Sequence, residues 1–339
     1  MRKKTSMKDI AAQLGVSTAL VSYVLNDKYP DRINAHTAQK IRDLAAELQY
    51  QPNQIAKSLK NAKTFTIGLI IADISNLFYS SIARVIEDEA KLHQYNVIFG
   101  SADENLTKFE ELLKVFVSRQ VDGIILASPE GSESCFQFLT ERNIPFVVID
   151  RFYPNHKDVN AVFIDNYKAS FEAIEHLSQQ GFKNTALVTL ASKLHHLQLR
   201  TKGFEDGAKQ FQNNICPTIL EIPEDILSEE VEKRILQLLK NRNDIDSVYF
   251  TTNKIAIEGL AVLAKYKIAV PHDVGVICFD EADAYKIFNT SITYIKQPLR
   301  QIGHEVVELL MSLMNGNKLN KHIMLDTTLV EGNSSKMFC

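Results

Sequence analysis

A chain of 339 residues, 45% apolar and 23% charged, is that of a globular protein with two or three domains rather than a disordered or fibrous one. No apolar run reaches the roughly 20 residues of a membrane span, and the basic start at Arg2, Lys3 and Lys4 has no apolar stretch behind it, so no secretory leader is expected. The net charge of −3 hides an asymmetry: residues 1–63 hold 11 Lys/Arg against 5 Asp/Glu, the remainder 27 against 36, so a basic head sits on an acidic body and suits either a polyanion partner or a solvated charged arm.

The stretch MKDIAAQLGVSTALVSYVLN, residues 7–26, predicts two short helices. Ile10, Ala11 and Leu14 share one face of the first, over 7–14. Gly15 suits the left-handed residue that ends a helix. Ser17 is placed to cap a second helix from Thr18 to about Leu25. There Leu20, Val21, Val24 and Leu25 face inward, and Thr18, Ala19, Ser22 and Tyr23 outward. A third helix is expected from its cap Asn34 to about Leu48, with Ile41, Leu44, Ala45 and Leu48 inward. Two helices on a tight glycine turn, braced by a third, form the helix-turn-helix pattern; a generic three-helix bundle has the same periodicity. Pro52 stops the third helix, and Asn53 can cap a short segment from Gln54 to Lys60 that is too brief to persist alone.

Taken together, KDIAAQLGVSTALVSYVLN, the Ala-Glu-Leu-x-Tyr run at 46–50 and P-N-x-x-A-x-x-L at 52–59 resemble the lactose/galactose repressor family of bacterial transcription regulators. The resemblance implies that 54–60 is a hinge helix, and that Leu59 wedges between base steps in the minor groove. The DNA-contacting set implied is Ser6, Met7, Ser17, Thr18, Ala19, Ser22, Tyr23, Asn26, Asn34, Thr37, Asn53, Ala56 and Leu59.

Beyond residue 64, apolar strands alternate with amphipathic helices. Strands are expected at 65–73, 96–103, 122–128 and 146–150, with helices at 79–94, 106–119 and 133–142. A second set has strands at 185–190, 247–252 and 274–280, with helices at about 167–181, 196–213, 227–242 and 254–266. Strands apolar on both faces and separated by helices mean doubly covered parallel sheets, and two sets mean two lobes. The tail, 291–316 and 322–330, reads as a return crossing. The fold class is therefore α/β: a helix-turn-helix head (1–50), a hinge and linker (51–63), and a two-lobed effector and dimerisation domain (64–339). This body resembles the periplasmic-binding-protein-like (type I) domain of the same family. Lobe one is expected over about 64–163 and 297–324, lobe two over about 164–296 and 325–339.

Ligands of such folds sit in the cleft beyond the carboxyl ends of strands. The resemblance places Asp73, Phe78 and Tyr79 (from DISNLFY) there, with Asp150 and Arg151 at the end of a strand read as the fifth, Arg200 in R-T-K-G-F as a clamp on effector oxygens, Asn253, and Asp280. Carboxylate, guanidinium and amide groups beside rings suit a polyhydroxylated ligand, a sugar or sugar derivative. Asp73 and Asp150 serve equally well as helix or loop caps. An interlobe salt bridge is the competing role for Arg200, Asn253 and Asp280.

Several departures from the family pattern stand out. Tyr23 replaces a base-reading arginine, so the operator should differ from the common GC-centred type. DKYPDRI, residues 27–33, is about two residues longer than the usual turn. Leu194 and His196 stand where purine-responsive members carry arginine and threonine, which disfavours a purine effector; the resemblance still places His196 among the effector contacts, and Lys254 follows Asn253 in place of Asp. No phosphate loop, GxSxG or HExxH occurs, and Cys135, Cys216, Cys278 and Cys339 lie far apart with no CxxC spacing. His195-His196 is the one adjacent histidine pair. No enzyme activity, cofactor, metal or membrane association is expected. The reading is a cytoplasmic, homodimeric, effector-controlled repressor binding double-stranded DNA, without the heptads of a coiled-coil tetramer. Its rival is a cytosolic sugar-binding protein without specific DNA reading.

Overall fold

In the computed structural model the described residues are 5–50, 63–224 and 227–337. The chain divides into two compact units, Met1–Thr64 and Phe65–Cys339.

The first unit holds α1 (Met7–Leu14), α2 (Thr18–Leu25) and α3 (Ala35–Glu47). Its boundaries follow from local chemistry. Ser6 and Asp9 close a capping box at α1. Gly15 takes φ 63° and ends that helix. Ser17 Oγ accepts from the Leu20 amide, and Asn34 Oδ1 from the amides of His36 and Thr37. Ile10, Ala11, Val21, Val24, Ile41 and Ala45 are buried together as a small core. Asn53, Ala56 and Leu59, with the expected hinge helix, lie outside the described residues.

The second unit contains two six-stranded sheets. We number its helices α4 (Leu77–Leu92), α5 (Leu106–Ser118), α6 (Ser134–Glu141), α7 (Asn166–Gln179), α8 (His195–Phe211), α9 (Leu227–Asn241), α10 (Asn253–Lys265) and α11 (Leu299–Met314). The strands are β1 (Thr66–Ile71), β2 (Asn96–Ser101), β3 (Gly123–Leu126), β4 (Phe146–Ile149), β5 (Ala161–Ile164), β6 (Thr185–Leu190), β7 (Thr218–Ile222), β8 (Ser247–Phe250), β9 (Gly275–Phe279), β10 (Thr293–Lys296), β11 (His322–Leu325) and β12 (Thr328–Val330). One sheet runs β11-β5-β4-β3-β1-β2 and the other β12-β10-β9-β8-β6-β7. Every pairing is parallel except β10 with β12.

Three details correct the sequence reading. Asp150 and Arg151 follow the fourth strand, not a fifth. The strands β5 and β7 were passed over: the first is four residues after a loop, and the second is a half-exposed edge. The segment 322–330 divides at Asp326 and Thr327, giving one strand to each sheet. The chain therefore crosses between lobes at three places: after β5, after β10 and after β11. Close helix packing in the second lobe depends on glycine. A Cβ on Gly203 in α8 would lie 2.2 Å from the Tyr167 carbonyl oxygen of α7.

Candidate functional site

The segments that follow β1, β2 and β4 in one sheet and β6 to β10 in the other meet at one cleft, and most of the singled-out body residues lie there. The cavity is lined by Asn76, Phe78, Tyr79, Glu104, Asp150, Arg151, Leu190, Ser192, Leu194, His196, Leu197, Arg200, Glu224, Thr252, Lys254, Asp280 and Gln297. Its volume is about 60 Å³, room for on the order of a few waters, and an adjoining cavity of about 150 Å³ shares Phe78, Asp280 and Gln297 with it.

Asp150 and Asp280 occupy the same topological position in the two sheets. Each directly follows its strand with φ 67°. Each backbone N–H donates to the neighbouring strand, Asp150 to Val162 O at 3.0 Å and Asp280 to Ile295 O at 2.9 Å. Both side chains are buried. Tyr79 Oη donates to Asp150 Oδ2 at 2.8 Å, and Gln297 Nε2 to Asp280 Oδ1 at 2.6 Å. Burial pushes both carboxyls above the usual aspartate range, against the pull of Arg151 and Arg200 on Asp150 and of Arg200 on Asp280. Each carboxylate also feels a neighbour's negative charge, Asp280 that of Asp150.

Arg151 forks onto the Glu104 carboxylate, and its Nη1 donates to Ser128 O at 2.8 Å. Arg200 is anchored within its own lobe. Its Nε donates to Asn166 Oδ1 at 2.8 Å, its Nη1 to Thr251 O at 2.7 Å, and its guanidinium lies 3.4 Å from the Phe279 ring centroid. The interlobe salt bridge weighed for Arg200 is therefore not formed. His196 is buried, and desolvation beside Arg200 and Arg151 holds its pKa well below the ordinary range, so it is neutral. Two buried polar atoms here, Arg151 Nε and His196 Nδ1, have no hydrogen-bond partner among the described residues.

Asn253 Nδ2 donates to Asn76 Oδ1 at 3.1 Å, joining the lobes. The same oxygen accepts from the Phe78 amide at 3.0 Å and caps α4. Asp73 is not among the residues that line the cavity. Its carboxylate accepts from the Ser75 amide and hydroxyl, forming a turn before α4. Lys254 pairs with Glu224 at 2.8 Å. Sequence reasoning missed Asn76, Glu104, Glu224 and Gln297. Only Asn76 carried a local signal, its position just before α4.

In the first unit, Thr18, Ala19 and Tyr23 are exposed on α2, and Ser22 is half-buried. Ser6, Ser17 and Asn34 are exposed caps, Met7 and Thr37 are half-buried, and exposed Asn26 donates to Ser22 O at 2.7 Å. Among the described residues no helix is long and apolar enough to cross a membrane.

A helix-turn-helix unit carried with a two-lobed cleft domain defines the class of ligand-controlled DNA-binding regulators. The chain belongs to the lacI family of bacterial regulatory proteins, whose family model matches residues 6–53; residues 174–335 match the periplasmic binding protein-like domain. It is 32% identical over 335 residues to the HTH-type transcriptional regulator RegA of Clostridium saccharobutylicum, covering 98% of this chain and 99% of that one. Among solved structures it is similar to the lac repressor dimer bound to operator and the anti-inducer ONPF (TM-score 0.86, 21% identity, 99% and 100% of the two chains). It is also similar to a CelR–cellobiose complex (TM-score 0.70, 21% identity, 98% and 100%).

Proposed function

We propose that this regulator acts as a cytoplasmic homodimeric repressor whose operator affinity is set by an uncharged sugar or sugar derivative held between the lobes. The observation that carries the effector class is the pair of buried atoms without a hydrogen bond, Arg151 Nε, which lies 4.0 Å from Asp150 Oδ2, and His196 Nδ1, in the cavity that Asp150 and Asp280 also line. A hydroxyl can donate to one group and accept from another, so a polyol satisfies donors and acceptors together and relieves the cost of leaving them unpaired. Arg151 and Lys254 are matched by Glu104 and Glu224, and Arg200 stands near both aspartates, so no cation is left over to favour an anionic ligand. The solved cellobiose complex of similar fold supports the same class.

Effector binding would change the lobe separation and so the geometry offered to the two DNA heads. A coupling of about 1–3 kcal/mol suffices for such control. The test is selection of bound duplexes from a random library at near-physiological salt, with and without a panel of neutral sugars. A two-fold-symmetric site whose recovery shifts with one sugar is the expected result. Recovery of no enriched sequence removes the DNA reading, and indifference to every sugar removes the effector class.

A further inference from the structure

The segment between α2 and α3, residues 26–34, carries Tyr29 and Arg32, and the structure shows where they go. Lys28 N donates to Tyr23 O at 2.8 Å, folding the chain back onto the end of α2. Asp27 pairs with Arg42 of α3 at 2.8 Å and ties the segment down on its other side. Tyr29 adopts φ 55°, ψ 50°, a left-handed conformation that a bulky side chain rarely takes. This conformation carries its ring to Tyr23. The two rings meet edge to face at 5.4 Å and 90°. The Arg32 guanidinium lies 5.7 Å from the Tyr29 ring.

Both rings stay in solvent, Tyr23 41% and Tyr29 56% exposed. Neither Lys28 nor Arg32 has an ion-pair partner among the described residues. The result is an ordered Tyr-Tyr-Arg surface continuous with the outward face of α2, on a head with six surplus positive charges. Rings and a free guanidinium beside a helix-turn-helix reading face fit duplex DNA.

We infer that Tyr29 and Arg32 extend the DNA-reading surface. Tyr29 is a positioning residue that fixes the Tyr23 ring for base contact, and Arg32 neutralises an operator phosphate. This assignment rests on the DNA-binding role of the head and adds to it two residues outside α2.

The test uses the full-length chain and the duplex it selects from a random library. Affinities are measured by fluorescence anisotropy for that duplex and for its single-position variants, over a range of salt. Tyr23→Ala and Tyr29→Ala should each flatten preference at the same operator position, by about three- to tenfold. The double variant should be no worse than the more affected single one. Tyr29→Asn, which suits the left-handed backbone, should behave as Tyr29→Ala does, and Tyr29→Phe should retain selectivity. Arg32→Ala should weaken binding to all duplexes alike and reduce the slope of log K against log salt by about 0.9 per half-site.

Additive losses for the two tyrosines, or unchanged selectivity in both Tyr29→Ala and Tyr29→Asn, overturn the positioning role. An unchanged salt slope in Arg32→Ala overturns the phosphate contact. If the unaltered chain selects no duplex, the DNA reading itself falls, and this assignment with it.

Discussion

The side-chain amide of Asn76 does two jobs through one oxygen, and this makes a quantitative prediction. Its Oδ1 caps α4 through the Phe78 amide and accepts from Asn253 across the cleft. Asn253→Ala removes only the interlobe bond, at about 1 kcal/mol. Asn76→Ala removes that bond and the cap, at about 2 kcal/mol in all. The double variant should also cost about 2 kcal/mol, because the interlobe bond can be lost only once. The coupling of about 1 kcal/mol is read from a double-mutant cycle by equilibrium urea unfolding of the full chain. Asn76→Asp keeps an acceptor at the helix start and should be close to neutral. If the losses add to within a few tenths of a kcal/mol, or if Asn76→Ala costs no more than Asn253→Ala, the shared oxygen is not the link between the lobes.

Further outcomes follow from the same geometry. Asp280→Asn, which tolerates the left-handed backbone, should abolish the response to the effector while leaving operator affinity unchanged; an unaltered response in a DNA-binding assay would move the site elsewhere. Gly203→Ala should cost about 1–3 kcal/mol by forcing α8 away from Tyr167 O, read as a lowered urea midpoint; a neutral substitution would mean that the helices separate freely. Asp150 has a folded-state pKa above its ordinary value of 3.8, so the folded state holds its proton more tightly than the unfolded chain. Its contribution therefore falls as pH rises from about 3.8 through the raised value and is fully unfavourable above it. Asp150→Asn should remove this dependence, so the stability difference between variant and parent should grow with pH across that window and then level off. A difference independent of pH would refute the raised pKa.

Local signals were the most legible part of the sequence. Ser17, Gly15 and Asn34 marked the ends of the head helices because caps act within three residues, and structure and sequence agree there. The doubly apolar runs expected as strands at 65–73, 185–190 and 274–280 hold the central strands β1, β6 and β9, because a strand covered on both faces is apolar on both. The edge strand β7 was missed because its one buried side leaves Thr218, Ile219, Leu220 and Glu221 partly or fully exposed, a pattern without clear alternation. In the cleft, aspartates at strand ends were readable, but their partners were not. Glu104 meets Arg151 from 47 positions away and Asn76 meets Asn253 from 177; only the fold supplies such proximity. The segment 27–33 was visible as a turn between two helices, whereas the Tyr23–Tyr29 contact depends on a left-handed backbone that no local pattern announced.

The matched placement of Asp150 and Asp280 has one more consequence. If the proposed ligand is held by both aspartates, it meets the same strand-end carboxylate twice, and the two carboxylates alone cannot tell one end of it from the other. Orientation must then come from what differs between the two sides: Arg151 engaged by Glu104 on one side, Arg200 engaged by Asn166 and laid on Phe279 on the other. For the proposed sugar effector, discrimination between epimers or anomers would fall to the surroundings of the arginines, and exchanging those surroundings would be the route to retuning the response.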